Sequence, residues 1–210
     1  TCESPANAPP IVPDRATSPA PGPAVRIEAE QPVASKFNLD TFSGLAGLSH
    51  DGMLGLATQL APPAPDGYLA GYSFEIDRPG TYVLRVREGY LATASPARWR
   101  IDNGPWQEVP NNLVPQDIRI VSQYNALDDE RMVFAWYTYG QCELSAGTHR
   151  LDYSVVSRRP GGLDIGLQNS TPYAKLLDCF ELSLITAAGS GHLVAQARVN
   201  LLANPSLEQD

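Results

Sequence analysis

Two glutamates open the first strand-like run of the chain, Glu28 and Glu30 in Val25-Arg-Ile-Glu-Ala-Glu30. Alternation places Val25, Ile27 and Ala29 on one face and Arg26, Glu28 and Glu30 on the other. Carboxylates two residues apart on one strand face lie roughly 7 Å apart and repel. A Ca²⁺ ion, which collects about six to eight oxygen ligands, would relieve that repulsion. Asp178, in the last strand-like run, is a third carboxylate if the first and last strands are neighbours. On spacing alone, a solvated acidic edge is the preferred reading of the two glutamates.

Other reactive residue types are scattered. A glycosidase needs two carboxylates about 5–9 Å apart across a cleft. Asp128-Asp129-Glu130 is an acidic cluster in an expected surface loop, Asp152 sits on a regular strand and Asp164 follows a Gly pair. None of them specifies an acid/base pair. There is no GxSxG, and His50, His149 and His192 have no arranged partners for a serine triad. Phosphate-binding loops and dinucleotide fingerprints are missing too. A polysaccharide lyase working through Tyr with Arg or His, or a glycosidase domain, stays open as an alternative. Arg158-Arg159-Pro-Gly-Gly162 is a basic turn that either meets an acidic or sulfated group or is solvated surface. Cys142 and Cys179 lie in strand-like runs, either bridged or as two buried thiols. No CxxC or His/Cys cluster suggests zinc.

These residues need a scaffold, and the alternation supplies one. Residues 25–185 contain Tyr72–Ile76, Thr81–Arg87, Arg98–Ile101, Thr148–Val156 and Leu177–Leu184, each with period two, as well as the acidic first run. Period two marks strands with one buried face. Turn signals fall between them at Arg78-Pro-Gly80, Asp102-Asn-Gly104 and Ser145-Ala-Gly147. Asn and Gly tolerate positive φ, so Asp102-Asn-Gly104 predicts a hairpin. The nearest thing to a helical stripe, Leu54 to Leu60, contains Gly55 and runs into Pro62-Pro63. The fold class expected is all-β, an antiparallel β-sandwich or jelly roll. Tyr72, Phe74, Tyr82 and Trp99 share faces with other apolar residues and are expected in the core. Trp106, after a hairpin turn, is expected nearer the surface.

The termini differ from this middle. Residues 1–24 hold seven prolines and no aromatic residue, and read as a tether. Ala187-Ala-Gly-Ser-Gly191 is a spacer, and Asn200–Glu208 resembles the opening strand of a further module. The domain organisation is therefore 1–24 linker, 25–185 sandwich and 186–210 linker with the start of another module. A net charge of −8 excludes nucleic acid as a partner, because phosphate binding needs clustered Lys and Arg. No apolar run is long enough to span a membrane.

Four elements in order resemble family 6 and family 35 carbohydrate-binding modules. They are Ile27-Glu-Ala-Glu30 at the start, Tyr72–Arg87 as a central hairpin, Glu143-Leu-Ser-Ala-Gly-Thr-His-Arg-Leu151 as an L-x-A-G-x-H-x-L element, and Leu177-Asp-Cys-Phe-Glu-Leu182 as the final strand. The stretch from Ala92 to Trp136 is longer than the family's spacing. The resemblance implies a structural Ca²⁺ on Glu28, Glu30 and Asp178, with the Asp178 carbonyl and loop carbonyls near Ser49–Asp51. It also implies a sugar site in loops at one end of the sandwich, where aromatic rings stack on sugar C–H faces and a few polar groups converge on the hydroxyls. Those loops supply Tyr68, Tyr90, Trp136, Tyr137, Tyr139, Gln168, Asn169, Tyr173 and Lys175. Phe134, Trp136 and Thr138 share one strand face, which makes Trp136 either core or platform. Tyr137 and Tyr139 lie on the other.

The function implied is a non-catalytic module that targets a secreted, multi-domain polysaccharide-active enzyme to a cell-wall-type polysaccharide. A non-catalytic adhesion or scaffold sandwich is the remaining alternative. The module is expected to be monomeric within its chain. Its location is expected to be secreted or cell-surface, with Cys2 and the polar tail behind it resembling a lipoprotein N-terminus.

Overall fold

The computed structural model describes residues 24–38, 46–50, 52–89, 94–110, 112–124, 129–160 and 172–185, without the side chains of 121–124 and 129–131. They belong to one compact unit, Gly22–Thr186. Tyr90, Gln168, Asn169, Asp51, Asp128, Asp164, Cys2, His192 and both terminal segments lie outside the described residues. Eleven strands and no helix occur among the described residues, so none of their segments is a helix able to cross a membrane. The strands are β1 (Ala24–Glu28), β2 (Ala34–Ser35), β3 (Leu54–Thr58), β4 (Tyr68–Ile76), β5 (Gly80–Gly89), β6 (Ala97–Ile101), β7 (Gln107–Glu108), β8 (Gln116–Tyr124), β9 (Asp129–Leu144), β10 (Gly147–Val155) and β11 (Tyr173–Leu184).

They form two antiparallel sheets, which makes the fold the expected β-sandwich. One sheet runs β1-β11-β5-β9-β8, with β3 on β11 beyond β1; the other runs β2-β4-β10-β6-β7. First and last strands are partners, with Glu28 opposite Cys179. The Asp102-Asn-Gly104 hairpin forms as expected: Asp102 and Asn103 both adopt positive φ, and β6 pairs with β7.

The run Tyr72–Arg87, expected as a hairpin, is not one. β4 pairs with β10 and β2, whereas β5 pairs with β11 and β9. Arg78-Pro-Gly80 instead carries the chain from one sheet to the other. Both strands bury an alternating face, and a sandwich satisfies this by setting the two faces against each other. The segment Leu54–Thr58 is a strand, not a helical turn. Asp129 and Glu130, expected in a loop, begin the long strand β9.

Tyr72, Tyr82, Leu84, Trp99, Leu151, Tyr153, Phe180 and Leu182 are among the residues filling the space between the sheets. Phe180 is at its centre, 5.0 Å from the Tyr72 ring and 5.7 Å from that of Tyr153. Tyr72 satisfies its buried hydroxyl by donating to the Ala29 carbonyl at 3.0 Å. Gly140 lies against the Trp99 ring: a Cβ there would stand 3.2 Å from it, so a larger residue would require the ring to shift by a few tenths of an ångström. A second, smaller cluster of Met53 and Phe134 lies apart from this core.

Cys142 and Cys179 are free thiols. On β5, Cys142 is opposite Tyr82 and Cys179 is opposite Arg87. Five residues of strand separate those positions, roughly 17 Å at 3.4 Å per residue, beyond the roughly 7 Å limit for a disulfide's Cα atoms. Burial pushes the thiols up to about 11 and about 12, helped at Cys142 by Glu143 and at Cys179 by Asp178.

Candidate functional site

One end of the sandwich gathers the strand ends near Tyr68, Gly89, Val155 and Tyr173. Alternation along β5 sends Tyr82, Leu84 and Val86 inward, and Glu88 follows them in the same register. Along β11, Tyr173, Lys175 and Leu177 point inward in the same way. Glu88 and Lys175 meet there, with Lys175 Nζ 2.7 Å from Glu88 Oε2 and both side chains nine-tenths or more buried. The Tyr139 hydroxyl donates to the same Glu88 oxygen at 2.5 Å. Tyr153 Oη lies 3.4 Å from Tyr139 Oη. Burial, then the Glu88 charge, pushes both phenols well above their ordinary range, so they remain protonated.

Tyr139 reaches this position through a bulge. Leu84 is opposite Gly140 and Arg85 is opposite Thr138, which leaves Tyr139 without a cross-strand partner. Tyr68 and Tyr173 form a tilted ring pair beside the network at 5.8 Å. Tyr68 donates its hydroxyl to the Leu60 carbonyl at 2.9 Å.

The sequence candidates thus divide. Tyr68, Tyr139, Tyr173 and Lys175 are all buried. Tyr137 is half-buried against the main core. Trp136 points the other way, onto the outer face of its sheet, with the Arg85 guanidinium 4.9 Å from its ring centre. Glu88 and Tyr153 are the participants that sequence reasoning missed. The available signal was a carboxylate occupying a core-facing register. Asp152 is no candidate acid: it is 2% exposed and held between Arg100 at 2.9 Å and Arg150 at 2.7 Å.

The acidic cluster forms on the β1–β11 pair. Ser49 Oγ is hydrogen-bonded to Glu28 Oε2 and lies 3.1 Å from Asp178 Oδ1, which also accepts the Ser49 amide at 3.0 Å. One hydroxyl proton cannot serve both carboxylates, so three oxygens crowd together. Glu30 binds His50 through Oε1 at 2.8 Å, while its buried Oε2 has no partner. These are the donors a hard cation takes. However, the Asp178 carbonyl accepts the Ala29 amide, and Arg87 already donates to Asp178 Oδ2 at 2.7 Å. Among the described residues, no three His, Cys, Asp or Glu side chains close on one metal position. The donor chemistry fits calcium; the three-carboxylate convergence is incomplete. Ser49 contributes a side chain where carbonyls alone were expected.

The opposite end of the sandwich holds His149. Its Nδ1 is 2.5 Å from Asp102 Oδ2, and its Nε2 donates to the Ser145 carbonyl at 2.9 Å. Burial alone would lower its pKa; the hydrogen bonds to Asp102 and Ser145, with the charges of Asp102 and Glu75, outweigh it and raise it overall.

No protein-family model and no curated protein matches the chain. Solved structures do, among them three at TM-scores below 0.5. A GH26-CBM35 β-(1,4)-mannanase of Podospora anserina has a TM-score of 0.46 and 18% identity, covering 78% of this chain and 28% of the mannanase. This chain therefore spans less than a third of that protein. A CBM35 from Cellvibrio japonicus has a TM-score of 0.43 and 11% identity, covering 76% and 92% of the two chains. A family 35 carbohydrate-binding module from an environmental isolate has a TM-score of 0.41 and 15% identity, covering 75% and 91%.

Proposed function

We propose that this chain is a non-catalytic carbohydrate-binding module of a secreted, multi-domain polysaccharide-active protein, and that its sugar site is the loop end of the sandwich. The observation that carries the reading is the Glu88–Lys175–Tyr139 network. The chain has two lysines, and one of them is buried with a carboxylate where packing alone would favour apolar residues. The network lies buried beneath the loop end, under the strand ends from which the loops leave, and it fixes those ends in place. Sugar recognition requires loops held so that polar groups and ring faces converge. Tyr90, Gln168 and Asn169 are assigned to the same site on the sequence resemblance alone.

The module raises the local concentration of a catalytic domain on a cell-wall-type polysaccharide and needs no chemistry of its own. Its Ca²⁺ is structural, held by Glu28, Glu30, Ser49 and Asp178, and ties the first strand to the last. The partnerless Glu30 oxygen and the doubly claimed Ser49 hydroxyl support that assignment. A glycan array run with and without chelator tests the reading, followed by titration of the best hit against Asn169→Ala and Tyr173→Phe. Binding of a defined polysaccharide without product release is expected, weakened in both variants. Rising ultraviolet absorbance from unsaturated ends would replace this reading with a lyase. Affinities within about twofold of wild type in both variants, under ~0.5 kcal/mol, would move the site elsewhere.

A further inference from the structure

A cleft of about 480 Å³ lies on the outer face of the β1-β11-β5-β9-β8 sheet, on the opposite side of that sheet from the Glu88–Lys175 network. Arg26 of β1, Arg87 of β5 and Arg119 of β8 line it, with Trp136 and Ser49. Three guanidinium groups from three separate strands thus converge in a chain whose net charge is −8.

The arginines have carboxylate partners, and the placement of those partners is informative. Asp178 is fully buried behind Arg87. Glu181 is 15% exposed and pairs with Arg26, which is 47% exposed. The same Glu181 pairs with Arg85, which is stacked over the Trp136 ring. Arg87 is only 9% exposed and also donates to the Gly47 carbonyl at 2.8 Å, while Glu181 stands beside Arg26 on the same outer face, so the N–H donors facing solvent are those left over on Arg26 and Arg119. Asp117 is the acid on the cleft wall, 2.8 Å from Arg119, which is 66% exposed. Guanidinium donors in a fork fit the paired oxygens of a carboxylate or sulfate better than they fit a hydroxyl.

The outer wall of the cleft has its own origin. Asp117, Arg119 and Ile120 come from β8, within the Ala92–Trp136 stretch that is longer than the family pattern resembled above. This stretch adds an edge strand and turns an open sheet face into a cleft.

We propose that this cleft is a second binding site, taking the anionic group of an acidic saccharide, a carboxylate or a sulfate ester on a sugar ring. The sugar part of the assignment rests on the carbohydrate-binding reading; the anion part rests on the arginines. The two sites are separate, so a polysaccharide carrying acidic substituents is held at the loop end by its backbone and at the sheet face by its charge.

The test is calorimetric titration of the whole chain with three probes: a galacturonic acid trimer, a sulfated galactose trimer and a neutral galactose trimer. Wild type is compared with Arg26→Gln and Arg119→Gln. Both substitutions remove exposed ion pairs, which contribute little to folding, and circular dichroism verifies that both fold. At least one charged trimer is expected to bind, with whichever binds more tightly identifying the anion, and raised salt should weaken it. Each variant should lose about tenfold, the size of one charge-assisted hydrogen bond. The best neutral array glycan should bind the variants unchanged. Charged trimers that do not bind, that bind no better than the neutral one, or that bind both variants within twofold of wild type overturn the proposal. If the array hit still binds in that case, the loop-end reading survives by itself. If charged trimers bind through the arginines and no array glycan is affected by loop-end substitutions, the loop-end reading is the one that fails.

Discussion

Each end of this sandwich carries a charged hydrogen-bond network, buried at the loop end and half-exposed at the turn end, and the two are built for different work. At the turn end, His149 has both ring nitrogens engaged, one by Asp102 and the other by the Ser145 carbonyl. Asp102 is itself locked in a tight hairpin and accepts the Arg150 amide as well, at 2.8 Å. Every group there ties one turn to another. At the loop end, Glu88 takes Lys175 and Tyr139 on one oxygen, and the strands around it lead into loops. A turn clamp is explained by the fold it closes. A buried Lys–Glu pair is not, because desolvating two charges commonly costs as much as their attraction returns. That difference is why we place the ligand at the loop end.

Breaking the pair gives the largest effect. Lys175→Met leaves the Glu88 carboxylate buried with Tyr139 alone, and should destabilise the domain by about 3–5 kcal/mol in urea denaturation. The double variant Glu88→Leu/Lys175→Met should recover most of that loss, since apolar residues of similar volume often match a buried pair. It should nevertheless bind the best array glycan poorly. A folded double variant that binds normally would make the network structural and erase the contrast between the two ends.

Metal removal comes next and bears on a third polar cluster, the one joining β1 to β11. Saturating Ca²⁺ at about 100 times its Kd adds about 2.7 kcal/mol to folding. For a domain of this size that is a shift of several degrees in Tm. Chelation should remove it, and Glu30→Gln should blunt the response. An unchanged melt with no metal by elemental analysis would leave Arg87 and Ser49 as the whole of the staple around Asp178.

How much of this was legible in the sequence depended on how many faces each strand buries. β1, β4, β5, β6, β10 and β11 show alternation because apolar residues hold the core-facing positions while mostly polar or charged ones hold the other face, even where both faces are buried, as at Leu151–Val155. β3 does not: Leu54, Gly55 and Leu56 are buried in succession, so no period survives to be read. β9 carries a bulge at Tyr139, which shifts the register about two-thirds of the way along a 16-residue strand. The resemblance motifs ordered the strands but could not say that β4 and β5 belong to different sheets, since a tight turn serves a hairpin and a sheet change alike. At the site, Lys175 and the tyrosines were visible as residue types near expected loops. Glu88 was hidden because a charged residue directly after Arg87 reads as the end of a strand. Its inward register appears only once β5 is seen to continue to Gly89.

A smaller effect tests the aromatic side of the loop end. Tyr173→Phe preserves the ring pair with Tyr68 and removes one hydroxyl. A single neutral hydrogen bond contributes about 0.5–1.5 kcal/mol, so glycan affinity should drop roughly two- to tenfold with Tm nearly unchanged. Loss of Tm without loss of affinity would instead assign Tyr173 to packing alone.

The smallest effect belongs to the turn end and appears in pH rather than in binding. The folded His149 has a raised pKa, for the hydrogen-bonding reasons given above. A group whose folded pKa lies above its unfolded value binds its proton more tightly in the folded state. Its contribution is therefore fully present below the unfolded value, about 6.5, and is lost as pH rises through the folded value. Tm should fall modestly between pH 6 and pH 8 in the wild type, and His149→Gln should flatten that slope while leaving glycan affinity unchanged. A slope that survives the substitution would move the proton linkage to another group. A change in glycan affinity would mean that the turn end communicates with the loop end, and the separation of the two networks argued here would not hold.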